Sequence, residues 1–264
     1  MAWDIFTTAF ASLFGRLGAA IKATILPAIL FAAVLGGFIY FGNTMLESQF
    51  SAGSSTAMFF IVAFIIIFPF SLFCFSWVAV LWHRAAILDM DPGFIPDFRG
   101  INVPAYAGRL VILGLIIIVS LLPLGIIGGI AGSLFGISAI SAGVVGLSIA
   151  GTILNFLFGI VVTFLWLRIS ATLPGIALGR SLSIGDGWRE TTELVGPIFG
   201  VSCLLNLINI LISAAILAVA STSLIAVQLI QIPITWFTLM LGMSMMTEIY
   251  KRTMHVDAVA DVFE

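Results

Sequence analysis

The chain is constrained most by where charge is missing. Residues 23–46, 48–82, 110–167 and 194–247 contain no Asp, Glu, Lys, Arg or His. A helix rises about 1.5 Å per residue, so about 20 apolar residues cross a hydrocarbon core about 30 Å thick. The first two stretches each suit one crossing. The last two, 58 and 54 residues long, exceed one crossing even with tilt, so each reads as two helices joined by a turn. Small residues mark those turns, from Gly132-Ser133 to Gly143 and at Ala220-Ser221-Thr222-Ser223. The expected fold is all-α and polytopic. Six transmembrane helices form three hairpins, with spans near 24–43, 58–82, 110–131, 144–167, 196–219 and 224–247.

Composition points the same way. Only 8% of the residues are charged and 61% are apolar, against roughly 25% charged in soluble domains. So few charges cannot cover a water-facing surface, and the apolar surface must meet lipid. A net charge of −2 supplies no basic excess to neutralise nucleic-acid phosphates. The expected partners are therefore the lipid bilayer and other membrane-protein subunits, with no nucleic acid. Cys74 and Cys203 lie in separate apolar stretches without metal spacing and read as buried thiols.

The basic residues set the expected orientation. Arg16 and Lys22 precede span 1. Arg84, Arg99 and Arg109 lie between spans 2 and 3, and Arg168, Arg180 and Arg189 between spans 4 and 5. Lys251 and Arg252 follow span 6. The alternate loops contain neither Lys nor Arg. The positive-inside rule then places both termini in the cytoplasm. No basic segment precedes a short apolar core at the N-terminus, so no cleaved signal peptide is expected. Residues 1–22 read instead as an interfacial amphipathic helix. Trp3, Phe6, Phe10, Leu13, Phe14, Leu17 and Ile21 recur on one stripe. Residues 23–250 form the membrane domain and 251–264 a short cytoplasmic tail.

A weak repeat marks the span ends. Leu81-Trp82-His83-Arg84 closes span 2 and Leu165-Trp166-Leu167-Arg168 closes span 4. Gly-Arg-Leu precedes spans 1 and 3, at Gly15-Arg16-Leu17 and Gly108-Arg109-Leu110. Trp favours the headgroup level and Arg reaches phosphates. Trp82, Arg84, Trp166, Arg168 and Trp188 are accordingly expected as interfacial anchors.

Amides stand out inside the spans. Asn206 and Asn209 lie three apart on span 5, and Gln228 and Gln231 three apart on span 6, so each pair shares a helix face. Asn209 and Gln231 are equally far from the turn between those spans. An amide in hydrocarbon needs a partner, so the four residues read as an interhelical polar clasp, with a polar cavity lining as the alternative. Gly125/Gly129 and Gly128/Gly132/Gly136 form small-residue rows that allow close helix approach.

Recognisable catalytic chemistry is sparse. No span interior carries an ionisable side chain, which argues against proton relays. The sequence has no GxSxG, P-loop or HExxH. No catalytic residue, cofactor or metal ligand is assigned. The two histidines, His83 and His255, are unsuited to paired haem ligation. Asp89, Asp91 and Asp97 lie in a loop that lacks a calcium-binding pattern and reads as turns.

Between Arg168 and Arg189 a span ends in Arg. Leu173-Pro174 follows, then Ser181-Leu182-Ser183 and a helix led by Trp188. Ser183 and Asp186 have capping-box spacing. This stretch resembles bacterial six-helix membrane proteins similar to the membrane domain fused to some glycerophosphodiester phosphodiesterases. The fused catalytic domain has no counterpart here. The resemblance therefore implies a stand-alone membrane module of a bacterial inner membrane and carries over no hydrolase activity.

Three functional readings follow. The first is a non-catalytic membrane module, an accessory or assembly subunit of a larger complex. The second is a passage or carrier for lipids or small neutral solutes. The third, ranked last, is a membrane-embedded enzyme built around His83, Arg84 and Asp89 or Asp91.

Overall fold

The computed structural model describes residues 1–47, 54–93, 102–134, 149–180, 182–220 and 224–254. Among them the chain is helical, with no strand. The helices are α1 (Ala2–Gly15), α2 (Leu17–Glu47), α3 (Ser54–Leu88), α4 (Val103–Leu134), α5 (Ile149–Ser170), α6 (Leu173–Ala177), α7 (Ile184–Glu190), α8 (Val195–Ala220) and α9 (Leu224–Thr253). Six are long and apolar enough to cross a bilayer: Leu17–Gly42, Ile61–Leu88, Val103–Pro123, Thr152–Ala177, Thr192–Ala218 and Ala226–Thr253. Between 11% and 33% of their apolar windows is buried. Most of each span's surface therefore faces outward, as a multi-pass membrane protein requires. Most of the expected 132–143 turn, Ser221 to Ser223, Asp97, Arg99, Gly136, His255 and the rest of the tail lie outside the described residues.

The helices extend beyond the charge-free stretches. α3 continues through His83 and Arg84 to Leu88, and α4 starts at Val103, ahead of Arg109. α9 runs on through Glu248 to Thr253. Charge ends a hydrophobic stretch without ending a helix. What stops α3 is backbone geometry: Asp89 has φ 56, the left-handed cap conformation Asp tolerates better than most residues. The helix expected over 1–22 divides at Arg16. The Arg16 N–H bonds to Leu13 O at 3.3 Å as a turn, and residues 17–22 belong to the first span. Along α1, Ile5, Ala9 and Leu13 are fully buried, whereas Trp3, Phe10 and Phe14 are exposed. Of the expected stripe, Trp3 and Phe14 thus face outward, Phe10 keeps an edge against Phe237, and Leu13 belongs to the packed row with Ile5 and Ala9.

The described residues sort into two compact units. One comprises Leu13–Leu110 and Leu173–Ser181. α3 is its centre, packed by α2 and α6. From Ser76 to His83 every α3 residue is buried, the pattern of a helix surrounded on all sides. Trp77 and Leu81 pack with Ala23, Leu26 and Val103.

The other unit comprises Met1–Ser12, Val111–Thr172 and Leu182–Glu264. Its main pairing is α5 along α8, with α9 also on α8 and α7 against the end of α5. Phe164 and Phe199 meet edge-on at 6.0 Å, as do Phe10 and Phe237. Sequential neighbours thus pair closely in α2–α3 and α8–α9, while α5 has α8 as its principal partner. Added at Gly200, a Cβ would lie 2.8 Å from Ala2 Cβ. α1 therefore rests on α8 at a position where only hydrogen fits.

Candidate functional site

Two polar assemblies on α5 hold the second unit together. At the basic end of the helix, Arg168 is buried. Its guanidinium lies 3.7 Å from the centre of the Trp188 ring and 5.8 Å from that of Phe164. Nε donates to Thr191 Oγ1 at 3.1 Å and Nη2 to Trp188 O at 2.7 Å. Stacking plus directed donation uses the planar guanidinium in a way Lys cannot reproduce. The sequence presents Arg168 and Trp188 as separate membrane anchors; the structure joins them into one clamp.

Local sequence positions α7 for this clamp. Ser183 caps α7: its hydroxyl accepts from Asp186 N–H at 3.1 Å, and its own N–H donates to Asp186 Oδ2 at 2.8 Å. The expected capping box is formed. The Ser183 backbone N–H, helped by its hydroxyl and by Arg189, holds the Asp186 carboxyl below its ordinary value. Gly187 lets α7 lie against the end of α5. An added Cβ there would come within 2.9 Å of Thr172 Cγ2 and 3.3 Å of Arg168 O.

The second assembly lies further along α5. Asn206 Nδ2 donates to Thr163 Oγ1 at 3.0 Å and to Ser202 O at 2.8 Å. It sits over Gly159, where a Cβ would come within 2.2 Å of Asn206 Oδ1. Asn206 is therefore an interhelical clasp, directed at α5. Asn209, Gln228 and Gln231 are exposed. No hydrogen bond joins them to one another or to other described residues.

The α5–α8 register extends this polar row. With Asn206 against Gly159 and Thr163, helical rise brings Asn155 to within about one turn of the level of Asn209. Asn155 is exposed too. Ser213 continues the α8 row at helical spacing. Asn155 is about 20 Å from Arg168 along its helix, Asn209 about 20 Å from Val195, and Gln231 about 25 Å from Glu248. All three lie inside the candidate spans Thr152–Ala177, Thr192–Ala218 and Ala226–Thr253, away from the basic ends. The four-residue spacing of Asn155, Gly159 and Thr163 is visible in the sequence. The partner helix was not.

The remaining anchors divide. Trp82 is fully buried and its Nε1 has no hydrogen-bond partner among the described residues, so it packs within protein. Trp166 and Arg84 are partly buried. His83 is fully buried and shares a 3.0 Å hydrogen bond with Tyr106, a pairing with no sequence signature. Asp89 and Asp91 are engaged elsewhere. Arg16 bonds to Asp89 Oδ1 at 3.1 Å and to Ala85 O at 2.5 Å, and Lys22 bonds to Asp91 Oδ2 at 2.5 Å. Lys22, then the Gly93 N–H, hold the Asp91 carboxyl below its usual value. His83 and the aspartates therefore serve separate contacts. Among the described residues no three His, Cys, Asp or Glu side chains converge as metal ligands.

No protein-family model matches the chain, and neither curated proteins nor solved structures yield a significant match.

Proposed function

We propose that this chain is a non-catalytic integral membrane module that works by assembling with another subunit in a bacterial inner membrane. The observation that carries this reading is the set of amides at hydrocarbon depth, Asn155, Asn209 and Gln231, on outward-facing surface. Each brings donors and acceptors to a region without water, where an unpaired amide costs several kcal/mol or about that. A polar group on a neighbouring subunit removes the cost. The placement of all ten basic residues at one end of the spans supports cytoplasmic termini. The resemblance of the Arg168–Arg189 stretch to a membrane module without its enzyme is in keeping with this role.

Native mass spectrometry from lipid nanodiscs tests the proposal. The wild type should leave the membrane as a stoichiometric complex, with a second copy or another chain. The triple variant Asn155→Leu, Asn209→Leu, Gln231→Leu should leave as a folded monomer. A stable monomer in both cases would count against assembly.

The same amides favour a second reading, a passage for lipids or small neutral solutes, in which water or solute covers them. It predicts that these positions react with membrane-impermeant, water-soluble thiol reagents after substitution by Cys. The assembly reading predicts protection.

A further inference from the structure

A cleft of about 300 Å³ opens between the α1–α2 break and the end of α3. Gly15, Arg16, Gly18 and Lys22 line one wall, and Asp89 and Asp91 the other. It lies at the ends of the spans Leu17–Gly42 and Ile61–Leu88, which is the headgroup level of a bilayer. A Cβ on Gly15 or Gly18 would meet nothing within 4 Å. These glycines therefore leave space in front of the charged groups.

We infer that this cleft binds a zwitterionic phospholipid headgroup carrying a phosphate and a primary ammonium. Its four charged side chains sum to zero, two guanidinium or ammonium cations and two carboxylates. A net anion gains little from such a site, since each cation already faces a carboxylate. A dipolar ligand gains at both ends: phosphate extends from Arg16 and Lys22, and ammonium from Asp89 and Asp91. The result is an alternating ring of charges. Asp89 and Asp91 keep most of their side-chain surface open, at 86% and 64%, so they can accept a second cation. An aminoethyl phosphate could reach the cleft from a lipid or from solution. The neighbouring surface favours lipid: Leu17, Ile21 and Ile25 form an exposed apolar row at helical spacing along the first span, beside the cleft wall, where an acyl chain can lie. This inference goes beyond the assembly reading and stands on different residues.

The test is native mass spectrometry of the full chain with phosphatidylethanolamine, phosphatidylglycerol or water-soluble glycerophosphoethanolamine. The wild type should retain phosphatidylethanolamine at least fivefold better than phosphatidylglycerol. Gly18→Leu, whose Cβ meets nothing within 4 Å, should fill the open space and lower phosphatidylethanolamine retention severalfold. Asp91→Asn leaves the cleft net positive and should shift preference toward phosphatidylglycerol, a reversal that mere loosening of the fold would not produce. Equal retention of both lipids, unchanged in both variants, would overturn the inference. Displacement of the lipid by equimolar glycerophosphoethanolamine would overturn the lipid source.

Discussion

Asn206 on α8 donates a 3.0 Å hydrogen bond to the hydroxyl of Thr163 on α5, over the gap left by Gly159. Interhelical bonds of this kind are worth about 0.6–2 kcal/mol in membranes. Asn206→Leu and Thr163→Val should each destabilise by about that amount, and the double variant by little more than one alone. Gly159→Leu should cost more, because it drives a side chain into Asn206. A double-mutant cycle on unfolding in bilayers reads the coupling. Additive effects of the two single variants would contradict the clasp.

Arg168→Lys keeps the charge and loses the stacked, multiply bonded plane. It should destabilise the α5–α7 junction by about 1–3 kcal/mol, with increased amide exchange over residues 184–194. Unchanged exchange would mean that Arg168 does not hold α7.

Two glycines should tolerate no enlargement. Gly187→Ala forces a methyl toward Thr172 and the α5 carbonyls, and Gly200→Ala forces one against Ala2. The expected results are loosening of α7 and release of α1 from α8, respectively. Amide exchange over residues 2–15 and over residues 184–190 distinguishes them. Each substitution should affect only its own contact.

Acid should weaken the start of α7. The Asp186 carboxyl is held below its ordinary value in the folded chain. Its contribution is therefore present above the ordinary carboxylate pKa of about 3.9 and is lost as pH falls through the depressed value. Hydrogen exchange at residues 184–190 should rise as pH falls below about 4, after correction for intrinsic rates. Asp186→Asn should remove that extra rise. A pH-independent corrected rate in the wild type would contradict the linkage.

The six spans are legible because hydrocarbon excludes charge, a demand each segment meets by itself. Helix ends are less legible. α3 stops at the backbone turn of Asp89, and α9 continues past Glu248, where Arg252 pairs with it at 2.7 Å one turn on. Partner choice is the least legible. Hairpin logic directs the span 5 amides at span 6, yet Asn206 turns to α5. The deciding feature is Gly159, whose missing side chain makes room for an amide only once α5 and α8 are neighbours. Trp82 misleads for a related reason: a Trp two residues before an Arg looks like a membrane exit, but Trp82 is fully buried and its neighbours Trp77 and Leu81 pack with Ala23, Leu26 and Val103. The capping box at Ser183 and Asp186 was readable because its chemistry is local.

Assembly requires that protein cover the amide row of α5 and α8 in the membrane. A spin label at Ser213→Cys, in a Cys74→Ala, Cys203→Ala background, reads this directly while leaving Asn155 and Asn209 intact. A label at Leu211→Cys, on another face of α8 with Leu211 itself exposed, is the lipid-facing control. Label 213 should collide rarely with both oxygen and a water-soluble nickel complex, whereas label 211 should collide freely with oxygen. Oxygen collisions at 213 as frequent as those at 211 would contradict the claim.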